Sequence, residues 1–150
     1  MASDTPPGSL AAVFERAPGL VAALDHASGD TPRSIIAKAR RTLAGMTEVE
    51  QIAVLDAHPR IGADPASLSL SSRREQGAAT DAATQRELAE LNDAYERKFG
   101  FRFVVFVAGR PKREIVPVLR ARLANTRETE LRAGLDEFVA IALDRLERPR

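Results

Sequence analysis

An all-α fold, a single compact domain of seven or eight helices, is what this 150-residue sequence predicts. Three observations carry that expectation. Apolar residues recur at three- and four-residue spacing through most of the chain, which is the period of a helix face. Capping residues stand at the right offsets ahead of those stripes. The chain has one β-branched and aromatic run but no second run to pair with it, and a lone strand leaves its backbone groups unsatisfied.

The elements follow in chain order. Residues 1–8 are small, polar and Pro-rich, and read as a loose end, while residues 9–147 carry no repeat or linker and read as one helical domain. Leu10, Val13, Phe14 and Ala17 form the first stripe, which Pro18-Gly19 ends. Thr31-Pro32 sets a capping hydroxyl before a proline at the first helical position; Ile35, Ile36, Ala39 and Leu43 then share one side, and Gly45 closes the segment. Thr47 and Glu50 have capping-box spacing ahead of Ile52 and Leu55. A longer helix is expected from about Thr80 to Phe99, with Leu88, Leu91, Tyr95 and Phe99 in register and Gly100 as its stop. Phe101 to Val107 has strand propensity without a partner, so it is expected as a buried extended or helical core segment. Pro111 opens the next helix, with Ile115, Val118, Leu119 and Leu123 on its face. The last runs from about Glu128 to Leu146, with Leu131, Leu135, Phe138, Val139, Ala142 and Leu146 as a broad stripe.

Composition removes several classes of function. No Cys is present, so disulfides, thiolate metal sites, iron–sulfur clusters and a cysteine nucleophile are excluded. The two histidines lie 32 positions apart, which argues against a metal site. The longest apolar run, Phe103 to Ala108, is far short of the roughly 20 residues that span a bilayer. Met1 to Pro7 has no basic region followed by an apolar run, and Arg148-Pro149-Arg150 is no peroxisomal address. A net charge of +1, from 22 basic and 21 acidic residues, gives no case for nucleic acid. Lys38 to Arg41 and Arg110 to Arg113 read as solvated faces or helix ends, and His26 as a surface or capping residue. No Gly-rich phosphate loop or serine elbow appears.

Three places break the pattern of helix faces. In His58-Pro59-Arg60-Ile61-Gly62, the proline keeps His58 out of the α region, so a helix should end there with an imidazole at its terminus. That is either a plain cap or a group able to take and give a proton near neutral pH. In Ser71-Ser72-Arg73-Arg74-Glu75-Gln76-Gly77, Ser72 and Glu75 match a capping box. Glu75 and Gln76, about 100° apart on a helix, could equally point into one cleft. In Leu91 to Phe101, Asn92, Tyr95 and Phe99 fall on one side and the charges on the other, as in an ordinary amphipathic helix.

Taken in this order, these motifs resemble the OHCU (2-oxo-4-hydroxy-4-carboxy-5-ureidoimidazoline) decarboxylase family of urate breakdown. The residues carrying the resemblance are His58-Pro59-Arg60-Ile61-Gly62, Ser72-x-x-Glu75-Gln76, and Leu91-Asn92-x-x-Tyr95-x-x-Lys98-Phe99-Gly100-Phe101-x-Phe103-Val104. Glu130-Leu131-Arg132-x-x-Leu135 with Ile141-x-x-x-Arg145-Leu146 adds a fourth piece, so that the likeness covers about residues 9 to 147. The resemblance implies a cofactor-free all-α carboxy-lyase, commonly a homodimer, acting on a small molecule and not on nucleic acid or membranes. It implies His58 and Glu75 as the catalytic pair. Substrate contacts would come from Pro59, from Ser72, Arg73, Arg74, Glu75 and Gln76, from the backbone of Phe103, Val104, Val105, Phe106 and Val107, and from Arg145. Many relatives carry Asp-Leu where this chain has Arg60-Ile61, a departure that touches local loop contacts. No peroxisomal signal or transthyretin-like extension is visible, so a free-standing cytoplasmic enzyme is implied.

The chemistry suits these residues. The departing carboxylate sits beside a carbonyl-type group that delocalises the resulting carbanion, so the substrate is its own electron sink. The protein must supply positioning, charge stabilisation and one proton on one face, giving a single enantiomer of allantoin. Two rival readings are a helical adaptor that binds a peptide in a groove and a related decarboxylase acting on another ring compound. The adaptor gives no reason for His58, Glu75 and Gln76 to occur together.

Overall fold

A computed structural model describes residues 31–62 and 81–147, and these hold five helices: α1 (Pro32–Gly45), α2 (Glu48–Ala57), α3 (Ala82–Phe99), α4 (Lys112–Leu123) and α5 (Arg127–Glu147). No strand occurs among the described residues. The sequence predicts seven or eight helices; the expected stripe at Leu10 to Ala17 and the helix start at Ser72 to Glu75 lie outside the described residues, as do residues 1–8 and His26.

Local chemistry sets each helix end. Thr31 Oγ1 accepts the Ser34 N–H at 3.1 Å, and Pro32 begins α1, where a missing N–H costs nothing. Thr47 and Glu50 close a full capping box on α2, with bonds of 3.2 and 2.9 Å. α3 begins two residues later than the apolar pattern indicates, because Asp81, whose carboxylate accepts the Thr84 N–H at 2.8 Å, is its cap. That bond holds the Asp81 carboxyl below its ordinary range. α3 ends at Gly100, whose φ of 80° is left-handed, and the cationic Arg97 and Lys98 occupy its last turn.

α5 is the hub: α1, α2 and α3 all pack on it, and α4 packs on α3. Its approach to α2 is set by Gly134, where a Cβ would lie 3.2 Å from a methyl of Leu55. Phe101 to Val107, expected as a buried extended or helical core segment, crosses the interior as non-helical chain with no strand partner among the described residues. Phe101, Phe103, Val104, Val105 and Val107 are buried there. Tyr95 and Phe99 of α3 meet the rings of this segment, with Tyr95 centred 5.4 Å from Phe103 and Phe99 6.0 Å from Phe101.

A buried polar cluster fixes that crossing. Glu130 of α5 is wholly inaccessible. Its Oε1 accepts Tyr95 Oη–H at 2.7 Å and Arg122 Nε–H at 2.8 Å, and its Oε2 accepts Asn125 Nδ2–H at 2.8 Å. Arg122 then donates from Nη1 to the Val104 carbonyl at 2.7 Å and lies 4.6 Å above the Phe103 ring. Burial and the bond to Glu130 push the Tyr95 phenol far above its usual range. Glu130→Ala would strand Arg122 without its counter-charge and is expected to cost about 3–5 kcal/mol. Chemical denaturation of the variant beside the parent protein measures that loss; a cost below about 1 kcal/mol would show the cluster to be dispensable.

Candidate functional site

His58 sits where Pro59 dictates. It caps α2 in extended conformation (φ −80°, ψ 136°), with its N–H on the Leu55 carbonyl at 3.1 Å. The plain capping reading is met by the backbone N–H alone. The ring is buried and stands nearly perpendicular to that of Phe138 on α5, at a centroid distance of 6.4 Å.

The loop after His58 is fastened to α3. Asn92 Nδ2 donates to the Ile61 carbonyl at 3.1 Å and to the Leu88 carbonyl at 2.9 Å, and Gln85 Nε2 donates to the Gly62 carbonyl. Gly62 has φ 84°, and a Cβ there would press on Leu88 and Gln85. Arg60 bonds Asp93 at 2.7 Å and pairs with Glu96. Burial works against the Arg60 charge, but these two carboxylates outweigh it and raise its already high pKa. The departure from Asp-Leu to Arg60-Ile61 thus has a local counterpart in Asp93 and Glu96.

Arg145, also predicted, is buried on the face of α5 that carries Phe138, two turns and roughly 10 Å further along. In the predicted 103–107 segment Phe103, Val104, Val105 and Val107 are buried and Phe106 is half-buried, so what it can offer a ligand is chiefly backbone. The Val104 carbonyl is taken by Arg122, and those of Phe106 and Val107 by Arg110 at 2.6 and 2.9 Å. Among the described residues, the Phe103 and Val105 carbonyls accept no hydrogen bond. The segment ends in a turn with positive φ at Ala108 (53°) and Gly109 (76°), closed by the Arg110 N–H on the Val107 carbonyl at 3.0 Å.

Ser72, Arg73, Arg74, Glu75 and Gln76 lie outside the described residues. The basic run at Arg110 to Arg113 departs from the expectation of a solvated helix end. Arg110 folds back to cap the extended segment, and Lys112 is buried. Glu130, Arg122 and Arg102 escaped the sequence reading as structural groups. Only Glu130 left a usable signal: with Gly134, Phe138 and Ala142 it keeps four-residue spacing on the buried face of α5. A separate cleft of about 430 Å³ lies between α1, α2 and α5, floored by Leu43, Leu131, Leu135 and Val139, and includes no predicted site residue. Among the described residues no group of three acidic or histidine side chains is placed to hold a metal ion. None of the described helices is long and apolar enough to cross a membrane.

Residues 5–147 match the family model described as OHCU decarboxylase. The chain is 30% identical over 153 residues to the uric acid degradation bifunctional protein PucL of Bacillus subtilis (strain 168), covering 97% of this chain and 30% of that protein. It is 26% identical over 141 residues to a 2-oxo-4-hydroxy-4-carboxy-5-ureidoimidazoline decarboxylase of Haloferax volcanii, covering 89% of this chain and 82% of the relative. The chain spans less than a third of the bifunctional relatives it matches. Among solved structures it is similar to an OHCU decarboxylase crystallised in the presence of (S)-allantoin, with a TM-score of 0.74 and 26% identity over 91% of this chain and 93% of that one.

Glu137, beside Phe138, is half-buried, and burial pushes its carboxyl above the ordinary range against the pull of Arg122, the Phe106 N–H and Arg110. A raised native pKa means that the folded chain holds this proton where the unfolded chain has lost it. Stability from the group is then full below its unfolded value of 4.5 and falls as pH rises through the native value. Glu137→Gln should therefore melt higher than the parent at neutral pH, with the gap closing below about pH 4.5. Thermal melts from pH 4 to 8 decide this; a variant less stable at pH 7 would reverse the sign.

Proposed function

The chain belongs to the OHCU decarboxylase family, and we propose that it converts 2-oxo-4-hydroxy-4-carboxy-5-ureidoimidazoline to (S)-allantoin and carbon dioxide in urate breakdown, without a cofactor. The observation that carries this reading is the buried imidazole of His58 at the end of α2, inside a match that runs from residue 5 to 147.

The substrate carries hydroxyl and carboxyl on one ring carbon, C4, and its ureido group on the neighbouring C5. The C4–carboxylate bond breaks, and its electron pair enters the C4–C5 bond as the adjacent ring C=N accepts charge at nitrogen. A solvent proton neutralises that nitrogen. The hydroxyl proton leaves, C4 becomes a carbonyl, and C5 gains a proton on one face. His58 suits the transfer between hydroxyl and C5, since imidazole takes and releases a proton near neutral pH. Glu75 orients His58 or holds the substrate hydroxyl. Gln76 and Ser72 pair with urea-like N–H and C=O groups, and Pro59, Arg73 and Arg74 add further substrate contacts. The backbone of residues 103–107 adds others, supported by the accepting capacity left at the Phe103 and Val105 carbonyls. Arg145 neutralises developing anionic oxygen. A cytoplasmic homodimer completes the reading, on the family likeness alone.

His58→Ala should lower turnover by about 10²–10⁴-fold while the fold persists. Ultraviolet decay of freshly made OHCU, with circular dichroism of the allantoin formed, measures this; near-normal turnover would remove the imidazole from the chemistry. Glu75→Gln separates a cap from an active carboxylate, because a capping box accepts either side chain. A fall in rate of two or more orders of magnitude is expected, and an unchanged rate would return Glu75 to the role of helix cap.

A further inference from the structure

Two parts of the proposed site, the His58 end of α2 and the 103–107 segment, lie more than forty residues apart in sequence, and one side chain ties them together. Arg102 is the residue immediately before the segment. Its N–H donates to Asp56 Oδ1 at 3.0 Å. Its guanidinium Nη1 donates to the carbonyl of Asp56 at 2.9 Å and to the carbonyl of His58 itself at 3.0 Å. The last carbonyls of a helix have no partner within it and carry the negative end of its dipole, so a guanidinium bridging two of them is held by both charge and hydrogen bonding. Both bonds leave one nitrogen of a planar guanidinium whose N–H directions are fixed, which an ammonium on a flexible stem does not match.

The consequence reaches the imidazole. The φ of His58 is held by the cap and its ψ by Pro59, so the position of its carbonyl fixes the direction in which the side chain leaves the backbone. Phe138 then limits the ring from one side. We propose that Arg102 is a positioning residue for the decarboxylation: it sets the distance and angle between the His58 imidazole and the backbone of residues 103–107. The inference rests on the function proposed above. It requires that transition-state alignment, more than substrate binding, depend on Arg102. Misplacing a catalytic group by about 1 Å costs on the order of 10²-fold in rate.

Arg102→Met keeps the stem, the backbone N–H and its bond to Asp56, and removes only the fork. Its kcat should fall about 10–100-fold, with KM within about threefold of the parent. Arg102→Lys should recover part of kcat and lie between the two. If the Met variant fails to fold, a Lys variant several-fold slower than the parent carries the inference alone. The spectroscopic readout does not need turnover. The chain has two histidines, so imidazole ¹H–¹⁵N spectra, assigned with a His26→Asn variant, isolate His58. Its signals should shift and broaden in Arg102→Met. A kcat within twofold of the parent, a loss carried wholly by KM, or unshifted His58 signals would overturn the inference. Absence of OHCU turnover in the parent protein would sink the proposed function instead, leaving the spectra to decide whether Arg102 orients His58.

Discussion

The carboxylate of Glu130, sealed inside the bundle, is the constraint on which the rest of the structure depends. Extended chain with no partner strand is a poor occupant of a protein interior, because its carbonyls and N–H groups need partners. Here arginines meet part of that need. Arg122 serves Val104, Arg110 serves Phe106 and Val107, and Arg127 serves the Phe99 carbonyl at 3.0 Å. Arg122 is deeply enclosed, with 11% of its side chain accessible. A guanidinium in that position is untenable unless a negative charge accompanies it. Glu130 is that charge, and Tyr95 and Asn125 complete its hydrogen bonding. The aromatic cluster around Phe103 then packs against a segment whose path is already decided.

A second, smaller device aligns the helices that carry the proposed chemistry. Gly134 lets Leu55 approach α5 at van der Waals contact. One turn further along each helix, His58 meets Phe138. The close contact at the glycine and the ring contact at the imidazole are thus successive rungs of one packing interface. A side chain at position 134 would press on Leu55, between the two helices that bring His58 and Phe138 together.

What the sequence made legible was whatever is local. Thr31-Pro32, the Thr47–Glu50 box and Gly100 announced helix ends because capping acts within three or four residues. The Pro59 effect on His58 is local in the same sense. Propensity plus the lack of a partner pointed to a buried core segment at residues 101–107 but left extended and helical forms both open. Arg102, Arg110 and Arg122 were illegible because each bridges to a distant or irregular stretch of backbone, and no periodicity records such a bond. Asn92 was read as one more residue on an amphipathic face; its amide instead grips the Ile61 carbonyl across 31 residues of sequence. Arg60 was noticed as an oddity, and its meaning emerged only with Asp93 and Glu96 beside it. The proposed substrate role of Ser72 to Gln76 rests on motif likeness, since those residues lie outside the described ones.

The Arg60 contacts also divide the site by its sensitivity to dissolved ions. Asp93, Glu96 and Arg60 have side chains between 29% and 58% accessible, whereas Glu130 has none exposed. Mobile ions screen exposed charges over about 10 Å at 0.1 M salt and scarcely reach buried ones. Concentrated electrolyte therefore weakens the Arg60 share of the fastening of the histidine loop on α3, leaving its Asn92 and Gln85 bonds, while the frame behind residues 103–107 stays as it is. A protein of this design feels the ionic composition of its surroundings first on the side that holds the imidazole.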